Sequence, residues 1–532
     1  MSGLEPAIIK EIDFNKSINR IISDTKTDFI FAPHLNLIYK YGSEDLIELL
    51  KKKLSTSSFE CSLPLTLDVP KKSMLSRPGS ILLPLDRLLY QVLIDLIAQK
   101  VEDNIDREHV FSNVYEDTVE MFENQGDSYT KFKDYIQKNA ELYKFCLQMD
   151  ITSYFDSINQ HFLINLIYSL GIKQSIVRLI ENCLLSWSQM NSYGIIQGLS
   201  SSDLLGNFNL TNLDYFFKIK EFDYCRYVDD IYVFHNNELE LRKLLIEICN
   251  KLRKQGLFLN ENKTQLKESK DILFQETEFD RMFYEINEML SVVFEDDSSF
   301  IEASYGFQTE WDDEPKEVIE IEGFRLDLIE QLYEKRDKAK WQRDKIIKFC
   351  IPLFSKAQSL YPLDTIKDEI INYPYLAKYY SNYLATIERD NREITKLIEE
   401  LIFSKNLIYE YQSLWLFSSL LYRHEVSTKV IDLAVRTVRD KQKHETIRAI
   451  CSILISKFGS GIQLRALRDE YENEPSNYVK SAILYGTRYF PKSERRACHS
   501  AWSGHSELNA LIIRSLARFN ETKEKEKINN VG

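Results

Sequence analysis

The stretch Cys225-Arg226-Tyr227-Val228-Asp229-Asp230-Ile231-Tyr232-Val233-Phe234 sets two adjacent carboxylates between two runs of strand-forming residues. Aromatic and β-branched runs punctuated by turn residues read as a β-hairpin. Asp-Asp is nonetheless a poor tight turn, where Asn-Gly or Asp-Gly is preferred, and two like charges side by side repel unless something neutralises them. Either the turn is merely acidic, or the pair serves a divalent cation. Hard Mg²⁺ takes carboxylate oxygens and leaves room for substrate phosphates. The second reading asks for a third carboxylate elsewhere.

Upstream, Phe145-Cys146-Leu147-Gln148-Met149-Asp150 reads as a buried strand ending in an acid, followed by a turn and a helix from about Ser157. A metal-dependent polymerase needs a carboxylate at such a strand end, opposite the pair of a neighbouring hairpin, so that two cations sit about 4 Å apart. Asp150 supplies it.

At this point the chain resembles reverse transcriptases, with the family's motifs in order. Asp150 to Phe155 matches the first palm motif. Gln197-Gly198-Leu199-Ser200-Ser201-Ser202, with Leu205 and Asn207 after it, matches QGxxxS. Arg226 to Asp230 matches the signature hairpin, and Leu259-Asn260-Glu261-Asn262-Lys263-Thr264 matches LNxxKT. Arg77-Pro78 and Asp86-Arg87-Leu88-Leu89-Tyr90-Gln91 look like the fingers of group II intron and retron-type enzymes. Any one of these is weak; the ordered set is specific.

The resemblance implies a role for each residue. Asp150 and Asp229 would ligate Mg²⁺, or Mn²⁺ in its place, with Asp230 assisting and the Ile151 carbonyl on the nucleotide-side metal. Phe155 occupies the position of the aromatic gate whose ring leaves no room for a 2′-hydroxyl, so deoxynucleotides (dNTPs) are preferred. Gln197 and Gly198 would lie against the incoming nucleotide, and Lys263 would protonate or neutralise the departing pyrophosphate. Arg77 and Arg87 are candidates for phosphate contacts, although arginines here could equally pair with nearby acids. Arg226 reads as structural.

The pattern also departs from the family. The fingers segment that carries a triphosphate-binding arginine in group II intron enzymes is Phe111-Ser112-Asn113-Val114-Tyr115-Glu116 here, and the proline after QGxxxS is Asp203. No thumb, RNase H or integrase counterpart follows Thr264.

Length and composition set the frame. A chain of 532 residues favours two or more domains, and 44% hydrophobic with 28% charged residues is a globular composition. A net charge of −13 argues against non-specific grip on long nucleic acid and confines any such contact to local basic surface. The eight scattered cysteines suggest reduced thiols rather than a zinc module or disulfide framework. Neither a secretory leader nor a membrane span is visible, so a soluble cytoplasmic protein with no membrane partner is expected.

Fingers and palm are expected over residues 1–285, an acidic linker over 286–325 and an all-helical domain over 326–532. In the last, apolar windows beginning at Ser413, Thr446, Tyr478 and Asn509 recur at roughly 32-residue intervals, as in HEAT-like helix-pair arrays. The expected fold is therefore α+β: a right-hand polymerase fingers and palm of reverse transcriptase type, with HEAT-like repeats in place of a thumb. Arg436, Arg439, Lys441, Lys443 and Arg448 form either a basic patch or an ordinary solvated helix face.

A reverse transcriptase core followed by helical repeats resembles the bacterial abortive-infection and other defence-associated reverse transcriptases. That resemblance implies an RNA-directed DNA polymerase or nucleotidyltransferase acting in antiphage defence. It further implies either untemplated synthesis primed from a protein hydroxyl, with the product covalently attached, or synthesis on an associated noncoding RNA. Homo-oligomers, trimers or hexamers, are expected by the same resemblance. The alternative from another class is an interaction protein whose repeat array binds a partner and whose polymerase fold does no chemistry.

Overall fold

The computed structural model describes residues 3–273, 281–283, 285–286, 325–338 and 343–529. The acidic stretch Phe294 to Pro315, and the expected linker except for its first and last residues, lie outside the described residues. Two compact units emerge, neither of them continuous in sequence. One gathers residues 3–24, 47–64 and 85–273; the other gathers 25–46, 65–84 and the described residues from 281 onward.

The strands among the described residues are β1 (Leu65–Pro70), β2 (Ser76–Ile81), β3 (Phe145–Asp150), β4 (Asp223–Tyr227), β5 (Asp230–His235) and β6 (Gln265–Glu268). The first unit is built on an antiparallel sheet in the order β4-β5-β3-β6. Central β3 is covered on both faces, which explains its nearly continuous apolar run. On one face the helix Gln125–Leu142 packs Phe132, Ile136 and Ala140 against Cys146, Cys225 and Phe234. Leu147, Met149, Ile231 and Val233 alternate to the other face and are buried there. The helix Glu238–Lys254, with Leu241, Leu244, Ile248 and Leu252 buried along one stripe, packs on β3 and β5. After β3 the chain forms one turn of helix, Tyr154–Ser157, and a separate helix, Gln160–Ser169, in place of the single helix expected from about Ser157. Asn159 divides them, because its side chain accepts from the Phe162 N–H and caps the second helix.

The second unit is dominated by helices. Arg343–Lys356, Ala377–Thr386, Glu410–Leu420, Glu445–Phe458, Asn477–Gly486 and Glu507–Asn529 pack each on the next, and more polar helices alternate with them in sequence. Glu410–Leu420 buries nine of its eleven residues, Tyr411, Gln412 and Leu414 to Leu420, so it lies inside. Thr428–Arg439 buries one stripe, Val430, Ile431, Ala434, Thr437 and Val438, so it lies outside. All four apolar windows at Ser413, Thr446, Tyr478 and Asn509 fall on the inner series.

Residues 25–46 and the antiparallel hairpin β1-β2 run along that inner series. Lys378 Nζ donates to Asp28 O at 2.9 Å, and Trp415 Nε1 to Phe29 O at 3.2 Å. His444 Nε2 lies 2.9 Å from Thr66 O, Tyr409 donates to Met74 O at 2.8 Å, and Arg514 pairs with Asp45 at 2.9 Å. The five cations singled out from the sequence are mostly neutralised: Lys441 pairs with Glu470 and Glu474, Arg448 with Glu474, Lys443 with Glu410 and Arg439 with Glu470. Arg436 and Arg439 end one helix, Lys441 and Lys443 lie in the turn after it and Arg448 is buried in the next helix, so they form neither an open basic patch nor a single solvated helix face. No described helix is long and apolar enough to cross a membrane, and the eight cysteines are free.

Candidate active site

Strand register brings the acids together. Asp150, the last residue of β3, sits directly opposite Asp230, the first residue of β5. Tyr227 pairs with Asp230 across the hairpin, which leaves Val228-Asp229 as a two-residue turn. The turn is therefore Val228-Asp229 rather than Asp229-Asp230: Asp229 is a turn residue, while Asp230 begins a strand.

The segment after Gly256 completes the site from the β3 side. Thr152 N donates to Phe258 O and Asn260 N to Asp150 O, each at 2.8 Å, with a bridge between Ile151 and Leu259. Asn260 then closes a turn: its Oδ1 accepts from Asn262 N and its carbonyl from Thr264 N. That turn delivers Lys263 Nζ to 2.7 Å from Asp150 Oδ1.

The electrostatics follow from crowding like charges. Burial, then the charges of Asp230 and Asp150, push Asp229 up to about 7, against the opposing pull of Lys263. Asp230 is pushed up to about 6, by loss of water and then by the charge of Asp150, against the opposing pull of Lys263. Burial works against the Lys263 charge, but Asp150, Asp230 and Asp229 outweigh it and hold the ammonium above the usual lysine range. A single lysine therefore leaves the three acids under-compensated. Hard carboxylate oxygens with excess negative charge suit a divalent cation, and Asp150, Asp229 and Asp230 are the residues that would hold it.

A buried network missed by motif reading holds the hairpin. Val228 has φ +56°, a left-handed conformation costly for a β-branched residue. Its N–H donates to Ser112 Oγ at 2.8 Å, and its carbonyl accepts from Arg226 Nη1 at 3.2 Å. Fully buried Arg226 makes a two-point pair with Asp214, Nε to Oδ1 at 2.8 Å and Nη2 to Oδ2 at 2.7 Å, and also reaches Asn207 Oδ1 and O. Asn207 in turn donates to Ser112 O at 2.6 Å. The Phe111-Ser112-Asn113 segment that lacks the family's arginine therefore supports the turn. Its signal in sequence was weak, since Asp214 reads as an ordinary acid on an amphipathic helix.

The other candidate residues separate. Phe155 is half-buried on the turn of helix after β3, and its carbonyl accepts from Ile195 N at 3.0 Å, which lays the segment leading to Gln197 alongside it. Gly198 has φ +88°, a conformation open to glycine, and it turns that segment into the helix Ser200–Asn209. Ile151 is buried. Arg87 is buried and paired with Asp24 at 3.0 Å, and Asp24 also accepts from Ser200 Oγ at 2.8 Å, so this arginine braces the start of the same helix. Arg77 lies on β2 in the second unit, its guanidinium 4.3 Å over the Phe29 ring.

A second acidic group, Asp106, Glu108 and His109, brings ligand-type atoms within 4.8 Å of one another. Asp106 already accepts from Tyr224 at 2.8 Å and pairs with His109 at 2.8 Å and Lys218 at 3.1 Å. Burial opposes the charge, yet these three contacts hold Asp106 well below the usual carboxylate range. It is an anchor for β4 with its oxygens already occupied.

Residues 69–282 match the family model of the reverse transcriptase (RNA-dependent DNA polymerase). The chain carries a reverse transcriptase domain. That domain contains every candidate site residue, from Arg77 to Lys263. No curated protein matches the chain. Among solved structures it is similar to apo telomerase from Candida tropicalis, at 11% identity over 70% of this chain and 73% of that one, with a TM-score of 0.28. Telomerase from Candida albicans in complex with the TWJ fragment of telomeric RNA shows 11% identity over 69% and 70%, with a TM-score of 0.31. The corresponding Candida tropicalis complex shows 12% identity over 77% and 68%, with a TM-score of 0.32.

Proposed function

We propose that the reverse transcriptase domain is an active DNA polymerase that adds deoxynucleotides at the site formed by Asp150, Asp229, Asp230 and Lys263. The observation that carries this reading is the register placing Asp150 opposite Asp230, with Asp229 on the adjoining turn and Lys263 2.7 Å from Asp150. A sheet that merely needed a turn would not crowd three acids under one lysine. Bound by these carboxylates, Mg²⁺ would lower the pKa of the attacking hydroxyl and offset charge on the departing pyrophosphate. Lys263, protonated through the neutral range, has a proton to give to that leaving group. Phe155 bars a 2′-hydroxyl, and Gln197-Gly198 borders the nucleotide.

The finer reading is antiphage defence, with untemplated, protein-primed synthesis, by a homo-oligomer whose C-terminal helices are HEAT-like repeats. It rests on the resemblance to abortive-infection reverse transcriptases and on the alternating inner and outer helices. Synthesis on a noncoding RNA is the competing version. The pure interaction-protein reading is disfavoured, because the chain's own residues 25–46 and β1-β2 cover part of the inner helices that a partner would use.

Purified protein given Mg²⁺ and labelled dNTPs is expected to make polymer, and chelation by EDTA to stop it. Absence of polymer under both Mg²⁺ and Mn²⁺ would sink the proposal. Protease digestion that shifts the mobility of the product marks protein priming; loss of synthesis on RNase treatment marks an RNA template.

A further inference from the structure

Gly206 lies in the middle of the helix Ser200–Asn209 and is not among the residues with positive φ. Its backbone thus needs no glycine, and a glycine inside a helix carries a propensity cost against alanine. Space supplies the reason for it. A Cβ at this position would lie 3.0 Å from Phe155 Cε1, 3.1 Å from Phe155 Cζ and 3.7 Å from Tyr154 Cε1. Carbon atoms pack comfortably at about 3.5–4.0 Å, so the ring of Phe155 rests in the notch that the missing side chain leaves.

Little else in that contact can yield. Tyr154 is buried, donates its hydroxyl to Gly206 O at 2.6 Å and accepts from Asn209 Nδ2 at 3.2 Å, which clamps the helix to the start of the Phe155 turn. The Phe155 backbone is fixed by its carbonyl's bond from Ile195 N at 3.0 Å. Asn207, the next residue of the helix, is held by Arg226 and Ser112. The part of the contact that can yield is the half-buried Phe155 ring itself, which packs edge-on to Tyr154.

We infer that Gly206 is a positioning residue that sets how far the Phe155 ring stands into the nucleotide site, and with it the sugar selectivity of the polymerase. The inference rests on the proposed role of Phe155 as the barrier to a 2′-hydroxyl. A methyl group at position 206 moves the ring outward by about half an ångström, to regain ordinary contact distance. The space left for the sugar narrows, so discrimination against ribonucleotides tightens and deoxynucleotide use slows.

The test compares kcat/KM for dNTPs and rNTPs in the full chain and in Gly206→Ala, Phe155→Val and the double variant. Gly206→Ala is expected to raise the dNTP-over-rNTP ratio and lower dNTP kcat/KM, each on the order of tenfold, since sub-ångström misplacement at a reacting centre has effects of that size. In the Phe155→Val background, where no ring is left to push, the same substitution changes neither quantity. Should Gly206→Ala alone fail to fold, the double variant is expected to fold, because valine vacates the notch. An unchanged ratio in Gly206→Ala, equal changes in both backgrounds, or a double variant as damaged as the single one overturns the inference while leaving the polymerase reading in place. If Phe155→Val does not raise rNTP use, or the full chain makes no polymer, the reading of the site fails and the inference falls with it.

Discussion

Asp229 carries the sharpest expectation at the residue scale. Its carboxylate is withdrawn from water and crowded by Asp230 and Asp150, so ionising it in the absence of a cation works against the fold. Asp229→Asn keeps the shape and removes the charge. DNA synthesis is expected to fall below detection, while the metal-free thermal midpoint at neutral pH stays level or rises slightly; a nucleotide-incorporation assay beside a thermal melt checks both. Arg226 sits at the opposite extreme, because its charge is matched by Asp214 and buried with it. Arg226→Met strands the Asp214 carboxylate in the interior and is expected to cost about 3–5 kcal/mol. Adding Asp214→Leu should recover part of that loss, which a double-mutant cycle in urea would read out as a favourable coupling.

At the scale of elements, the helix Pro84–Asp95 is tied to its surroundings through an acid that prefers to be neutral. Asp86 is buried and accepts from Trp187 Nε1 at 3.1 Å and Ser62 N at 3.0 Å, yet burial outweighs those bonds and pushes it up to about 6. The folded state therefore binds this proton more tightly than the unfolded chain does. Stability from this group is complete below about pH 4 and is lost as pH rises toward 6. Asp86→Asn keeps an acceptor for both donors and removes the penalty, so it is expected to add up to about 3 kcal/mol at pH 7.5 and almost nothing at pH 4. Urea melts at the two pH values decide it. Much at this scale was legible in the sequence. β3, β4 and β5 are short apolar runs with acids at their ends, and LNxxKT announces a turn that carries a lysine. What pattern could not give is what depends on partners brought together by the fold of other elements: the Asp214 of the preceding helix that neutralises Arg226, the Asp24 that takes Arg87, and the ring that requires Gly206.

For the whole molecule, the helices after residue 325 were legible because each inner window is apolar at helical spacing; their dependence on the N-terminal segments was not. Ile30, Phe31, Leu35, Ile38 and Tyr39 are buried, as are Leu67, Val69 and Ile81 of the hairpin, and all belong to the helical unit. A chain cut after residue 285 keeps these apolar side chains and loses the helices Glu410–Leu420, Glu445–Phe458, Asn477–Gly486 and Glu507–Asn529 that cover them. At about 25 cal/mol per Å² of apolar surface, uncovering eight such residues removes more than the usual margin of a domain's stability. The 1–285 fragment is accordingly expected to be insoluble or aggregated, even though the whole of the matched reverse transcriptase domain, residues 69–282, is present in it. The complementary fragment from residue 325 lacks the segments that fill its inner face and is expected to fail likewise. Co-expressing the two should restore soluble material that copurifies and unfolds cooperatively. If instead the 1–285 fragment alone is monomeric by size-exclusion chromatography and shows a cooperative melt, residues 25–46 and 65–84 do not need the helices, and the division of the chain into these two interleaved units is wrong.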